Sequence, residues 1–298
     1  MKIGYGSCPA TCGELVQGMI GKEEYISSYC VDMYSNAKIV EKKFMNNKVS
    51  RSKIKSLKAV SNVFEKFGYS RDLSKKIDLH ISSEIPVGKG MASSTADIGA
   101  SVLAALDFIG EKMSPEEISI LVSKIEPTDS IYFKEVCIFN PIKGIKKKSL
   151  GFLKSEDVII LEPNDRINTI KIRKDIGYYN VLKKNRFITK KSFEMLELGI
   201  KKNNIELIKK ACMNSAFANE EIKKTPYLRE ILDLSKKHNC GFVNISHTGT
   251  VIGIAADEKT DIDKLKYELS KCRLGNYYNN IYSRKIVSGG ACNTKIDF

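Results

Sequence analysis

Residues 85–96 read Ile85-Pro86-Val87-Gly88-Lys89-Gly90-Met91-Ala92-Ser93-Ser94-Thr95-Ala96. Before them, Ile77, Leu79 and Ile81 alternate with Asp78, His80 and Ser82, which predicts a half-buried strand over 76–85. After them, Ile98, Val102, Ala105 and Ile109 recur at helical spacing. The stretch is therefore a strand, a Gly-rich loop and a helix start. Gly88 and Gly90 let backbone N–H groups approach a ligand with no Cβ in the way. The following helix offers unpaired amides and a partial positive charge. Ser93, Ser94 and Thr95 add hydroxyls that can donate to phosphate or coordinate Mg²⁺, and Lys89 can neutralise phosphate charge. The spacing is neither a G-x4-G-K-[ST] P-loop nor a G-x-G-x-x-G fingerprint. The competing reading is a Gly-rich turn that caps a closely packed helix.

Working outward, Ile54, Leu57, Ser61, Phe64 and Phe67 predict an amphipathic helix over 51–67. Ser114-Pro115-Glu116-Glu117 is a helix start, with Ser as N-cap, Pro at the first position and Glu three residues after the cap. That helix carries Ile118, Leu121, Val122 and Ile125 and is expected to end near Glu126, because Pro127 follows. A carboxylate at a helix C-terminus is disfavoured by the helix dipole by ~0.3–1 kcal/mol. Glu126-Pro127-Thr128-Asp129 therefore reads either as a solvated turn or as two acids that hold Mg²⁺ and orient or deprotonate a hydroxyl. Lys146-Lys147-Lys148, between Gly144 and Gly151, reads as an exposed hairpin turn.

Two further segments stand out. Cys8-Pro-Ala-Thr-Cys-Gly-Glu-Leu-Val-Gln-Gly18 contains Glu14, which either enters a cleft or lies in a turn between strands. Ser246-His247-Thr248-Gly249-Thr250 is a small polar turn between predicted strands 242–246 and 250–255, with His247 a possible ligand contact. The second half carries strands at 157–161 and 281–287 and helices near 205–215, 228–235 and 261–271. Helices and strands mix without steady βαβ alternation, so the class is α+β. At 298 residues two domains are expected, with the boundary near Ser155: 1–155 and 156–298.

Lys and Arg number 49 against 35 Asp and Glu, a net charge of +14. That charge admits a nucleic-acid ligand, an anionic small molecule or simply a solvated basic surface. No zinc-finger, recognition-helix or aromatic RNP-like signature accompanies it, so no nucleic-acid partner is expected. The longest apolar runs, such as 251–256, are far short of the ~18 residues that span a bilayer. The N-terminus carries no signal-like core. No membrane partner and a cytoplasmic location are therefore expected, with the eight cysteines as reduced thiols.

Taken in order, the four segments resemble the GHMP kinases (galactokinase, homoserine kinase, mevalonate kinase and relatives). Residues 86–96 are similar to that family's P-x-x-x-G-L-G-S-S-A-A nucleotide loop, with Met91 for the usual leucine and Ala92 for the usual glycine. Gly249 stands alone where several glycines are common. Within the family, Cys8–Gly18 and Glu126–Asp129 are most similar to the branch of L-threonine kinases linked to cobalamin synthesis and propanediol utilisation. The resemblance implies the two-domain GHMP kinase fold: an N-terminal α+β domain with a left-handed βαβ crossover and a C-terminal ferredoxin-like domain. It implies ATP-dependent phosphorylation of the L-threonine hydroxyl, with ATP lying on Pro86–Thr95. Ser94 and Glu126 would coordinate Mg²⁺, with Asp129 orienting the hydroxyl and taking its proton. Glu14 and His247 would lie on the substrate side. A homoserine-type substrate is the alternative within the family.

Overall fold

The computed structural model describes residues 2–42, 53–167 and 172–290. Two long strands open the chain: β1 (Ile3–Ile20) and β2 (Glu23–Glu41). They pair antiparallel, with register shifts between Pro9 and Val16. Gly13 lies within this irregular stretch at a φ of +63°. Glu14 there also pairs with Ile245 of β7 (Val243–Ile245). No turn forms at Gly13-Glu14, so the segment is one bulged strand.

β3 (Ile77–Ser83) lies antiparallel on the second half of β2. The hairpin of β4 (Val136–Asn140) and β5 (Ile145–Gly151) joins β2 at Ile26↔Phe139. Lys146–Lys148 thus lie on an edge strand, and the turn is upstream at Pro141–Gly144, where Gly144 has a φ of +69°. The lysines point to solvent and acids because β5 needs its polar face outward: Lys146 pairs with Glu116 at 2.9 Å and Lys148 with Glu197 at 2.5 Å.

α1 (Ile54–Lys66) forms as predicted, but its buried stripe is Ser56, Ala59, Val60, Val63 and Phe64. Ile54 is 57% exposed. The face is rotated from the predicted one, and Phe64 on it meets Phe108 of the neighbouring helix, their ring centroids 6.3 Å apart. That neighbour is α2 (Ser93–Ile109), which is buried along most of its length and packs on β1. A Cβ on Gly6 of β1 would come 2.2 Å from the Ala100 carbonyl. The run of small residues in α2 is what lets helix and strand approach this closely.

α3 (Pro115–Ser123) has the predicted capping box: Glu117 N–H donates to Ser114 Oγ, and Ser114 N–H to the Glu117 carboxylate. The helix ends at Ser123, three residues before Glu126, and a turn carries the chain on to Pro127.

The second half contributes β6 (Asp157–Glu162), β7, β8 (Ile252–Ala255) and β9 (Asn280–Val287). Between β6 and β7 lie α4 (Ile176–Lys184), α5 (Arg186–Lys202), α6 (Ile205–Asn219) and α7 (Leu228–Lys237). Between β8 and β9 lie α8 (Ile262–Lys271) and α9 (Arg273–Tyr277). The strand order β7-β8-β6-β9 with every pair antiparallel is the split βαβ arrangement of ferredoxin-like domains. A core of its own, including Ile159, Ile231, Ile254 and Leu265, lies beneath α7 and α8. β7 pairs with β1, and β9 pairs with β2 at Cys30↔Val287 and Val31↔Ile286. The sheet therefore runs through both halves.

Candidate active site

The loop after β3 opens into a cavity of about 380 Å³. Its backbone alternates through positive φ at Gly88 (+75°), Gly90 (+83°) and Ala92 (+58°) before α2 begins. Ala92 is thus an L-residue held in the left-handed region at the helix N-cap, a conformation that costs ~1–2 kcal/mol. The result aims the first turn of α2 into the cavity. The amides of that turn have no intrahelical partner.

The turn at 246–250 holds the loop in place. Thr250 N–H donates to the Lys89 carbonyl at 2.8 Å and Val251 N–H to the same oxygen at 3.2 Å. Ser246 Oγ donates to the Gly90 carbonyl at 3.3 Å. From the other side, Ile167 N–H donates to the Gly88 carbonyl at 2.9 Å. Four loop contacts come from the second half of the chain, which is why the two Gly-bearing motifs occur far apart in sequence and together in space.

Glu14, Val87, Gly88, Gly90, Met91, Ala92, Ser93, Ser94, Thr95, Glu126 and Asp129 all line this cavity. Ser94 Oγ donates to one oxygen of Glu126, and Lys55 Nζ donates to the other. These contacts explain how a carboxylate is tolerated just beyond the end of α3. Asp129 accepts from Ser28 Oγ and, at 2.7 Å, from the Ser130 N–H. Burial, reinforced by the Glu14 carboxylate, pushes Asp129 up to about 6 despite these two donors. An aspartate with that value sits closer to neutrality than an ordinary one and is suited to accept a proton.

Glu14 is 8% exposed. Its Oε2 accepts from the His247 backbone N–H at 2.9 Å and lies 3.3 Å from His247 Nδ1. The other ring nitrogen of His247 lies 2.8 Å from Ser215 Oγ. His247 is buried behind Glu14 rather than facing the cavity, and Thr248 reaches the cavity in its place. Lys89 is also turned away. Its ammonium donates to the carbonyls of Pro163 and Asp165 and lies 3.5 Å from Glu162, so it anchors the loop to the end of β6 instead of facing phosphate. Pro86 does not line the cavity.

Sequence reasoning missed Lys55, Arg173, Ser28 and Thr248. Lys55 is one lysine among many on an exposed helix face. Arg173 lies in no motif; it forms a bidentate pair with Glu24 at 2.9 and 2.8 Å at the cavity edge. Gln17 Nε2 and Tyr178 OH also donate to Glu24, each at 2.9 Å.

With this geometry in place, comparison with known proteins is decisive. The family profile for the GHMP kinases N-terminal domain matches residues 54–133, and that for the GHMP kinases C-terminal domain matches 196–273. The chain belongs to the GHMP kinase family. It is 27% identical to an L-threonine kinase of Citrobacter freundii over 95% of this chain and 97% of that protein. It is 28% identical to an L-threonine kinase of Salmonella typhimurium, covering 97% and 95%. A homoserine kinase of Clostridium beijerinckii is 25% identical over 68% of this chain and 69% of its own. Among solved structures, a homoserine kinase from Cytophaga hutchinsonii superposes with a TM-score of 0.71 at 13% identity, covering 98% of this chain and 97% of that one. The fold is the two-domain GHMP kinase fold, and the chain is a member of a family of ATP-using small-molecule kinases. Among the described residues no helix is long and apolar enough to cross a membrane.

Proposed function

We propose that this protein is an ATP-dependent L-threonine kinase that makes O-phospho-L-threonine and ADP, with its two domains meeting near Ser155. One observation carries the reading. Ser94, Glu126 and Asp129 line a single cavity built on the Gly88–Thr95 loop, with Ser94 bonded to Glu126. The near full-length sequence similarity to L-threonine kinases favours threonine over homoserine, whose kinases match a smaller share of the chain in sequence and share its full length only as a fold. A role in supplying cobalamin synthesis is the expectation that goes with that branch.

The ATP phosphates would lie against the loop amides and the first turn of α2, where peptide dipoles favour negative charge. A hydroxyl and a carboxylate are hard oxygen donors of the kind Mg²⁺ takes. Ser94 and Glu126 would therefore hold Mg²⁺ together with phosphate oxygens. Among the described residues no group of three or more His, Cys, Asp or Glu side chains is placed to hold a metal ion by itself, so Ser94 and Glu126 would hold it as a pair. When bound it supplies positive charge against the phosphates.

Asp129 would orient the threonine hydroxyl and accept its proton as the oxygen bonds to the γ-phosphorus and the bond to the β-phosphate oxygen breaks. Ser28 and Ser130 fix the carboxylate for that task. Glu14 gives the cavity a third carboxylate, suited to the substrate ammonium, with His247 and Ser215 holding it in position.

The test is ADP release from MgATP with threonine, serine and homoserine at equal concentration, with the product identified by ³¹P NMR. Threonine should give the highest kcat/KM. Preference for homoserine would move the protein to that activity, and no turnover with any of the three would overturn the reading.

A further inference from the structure

Among the described residues, the cations that line the cavity are Lys55 and Arg173. They differ in how they are held. Arg173 is bound on both terminal nitrogens by Glu24, and both side chains are nearly buried, at 12% and 2% exposure. Its charge is committed. The Lys55 side chain is 46% exposed, and it pairs with Glu126, whose side chain is only 11% exposed. Glu126 is also the carboxylate best placed to hold a metal with Ser94. One oxygen of Glu126 is taken by Ser94 and the other by Lys55, so the ammonium occupies ground that a divalent cation would need.

An ammonium and Mg²⁺ on one carboxylate repel each other. At ~5 Å that repulsion persists even in a water-like dielectric. Arrival of a metal on Glu126 therefore favours departure of Lys55. Its long, half-exposed stem can swing, and the nearest new anions would be the phosphates on the adjacent loop.

Resting on the kinase reading, we propose that Lys55 is an exchangeable counter-charge. It neutralises Glu126 in the nucleotide-free protein, excludes free divalent cations there, and passes to the ATP phosphates when the metal–nucleotide complex takes Glu126. The device makes metal entry depend on nucleotide. It also returns a positive charge to the site once the metal has displaced it.

This predicts effects of opposite sign from one substitution. In Lys55→Met, Mn²⁺ alone, counted by the EPR signal of the free ion, should bind the nucleotide-free protein roughly tenfold more tightly than in wild type. The same variant should lose about tenfold or more in kcat with MgATP. Lys55→Arg should restore both toward wild type. The thermal midpoint should move little, because a half-exposed pair contributes little stability.

Unchanged Mn²⁺ affinity in Lys55→Met would overturn the proposal, as would an unchanged kcat. Failure of the kinase reading is separately visible: wild type would then neither bind ATP nor release ADP, whatever Mn²⁺ does.

Discussion

Gly90 and Gly249 meet backbone to backbone. A Cβ on Gly249 would lie 2.4 Å from the Gly90 Cα, and a Cβ on Gly90 would lie 2.8 Å from the Gly249 Cα and 1.7 Å from Ser246 Oγ. The loop from the first half and the turn from the second are fitted at this point with no room for a methyl group. Gly90 also has a φ of +83°, so alanine there is strained as well as obstructed. Gly90→Ala should displace the loop and lower kcat/KM by about 100-fold, with a stability loss of ~1–3 kcal/mol. Gly21→Ala is the control. It shares the positive φ, at +66°, but meets no atom within 4 Å. It should lose only the stability that the strained φ costs, less than Gly90→Ala in a urea titration, and no activity; equal activity losses in both variants would remove the special role of the Gly90 contact.

Ser94→Ala and Glu126→Gln should each lower kcat by an order of magnitude or more, roughly 1.4 kcal/mol or more of transition-state stabilisation. Because the two side chains hydrogen-bond each other, the double variant should be little worse than the poorer single one. A coupled ADP assay with varied Mg²⁺ measures this. Fully additive losses would mean that the two residues act separately.

Asp129 should impose an acid limb on the kcat/KM profile near pH 6, since burial raises its carboxyl to about 6 and the proton acceptor must be ionised. Asp129→Asn should abolish that limb and reduce kcat. The linkage sign also follows. The folded value lies above the ordinary 3.8, so ionising Asp129 costs stability. That cost is absent below the ordinary value, grows between 3.8 and about 6, and is complete above it. Asp129→Asn should therefore raise the melting temperature at pH 7 relative to its effect at pH 4. The reverse ordering would contradict the buried, raised carboxyl.

Glu24→Ala leaves the buried Arg173 guanidinium without its bidentate partner. Breaking such a pair costs ~3–5 kcal/mol. Glu24→Gln should cost less, since one acceptor oxygen survives. Urea denaturation monitored by circular dichroism reads the difference. A loss below about 1 kcal/mol for the alanine variant would show that water replaces the carboxylate.

The elements with a clean period were legible in the sequence. β3 alternates, α3 announces itself by its capping box, and the β6 to β9 half reads element by element except for α4, α5 and the short α9. The pairing of β1 with β2 was not legible, because Ile3–Ile20 is buried on both faces for nearly its whole length and so shows no alternation. α5 was hidden for a related reason: Thr189 and Ser192 share its buried stripe with Phe193, Leu196 and Ile200. In the site, the short-range chemistry of Gly88–Thr95 and Glu126–Asp129 was readable because local spacing carries it. The inward turn of Lys89 was not, since it depends on carbonyls more than seventy residues away. The burial of His247 was not either, since it depends on Glu14 and Ser215 from two other elements.

The sheet that runs through both halves has a consequence for motion. Glu14↔Ile245, Cys30↔Val287 and Val31↔Ile286 are backbone pairings between the first and second halves, and separating them would expose ladder hydrogen bonds to solvent. The halves are therefore not free to open and shut like two jaws. Whatever shields the reacting groups from water must be a local rearrangement around the cavity mouth. A fragment ending at Ser155 would have lost its neighbours along β1 and β2 and presented raw sheet edge, the surface from which aggregation starts.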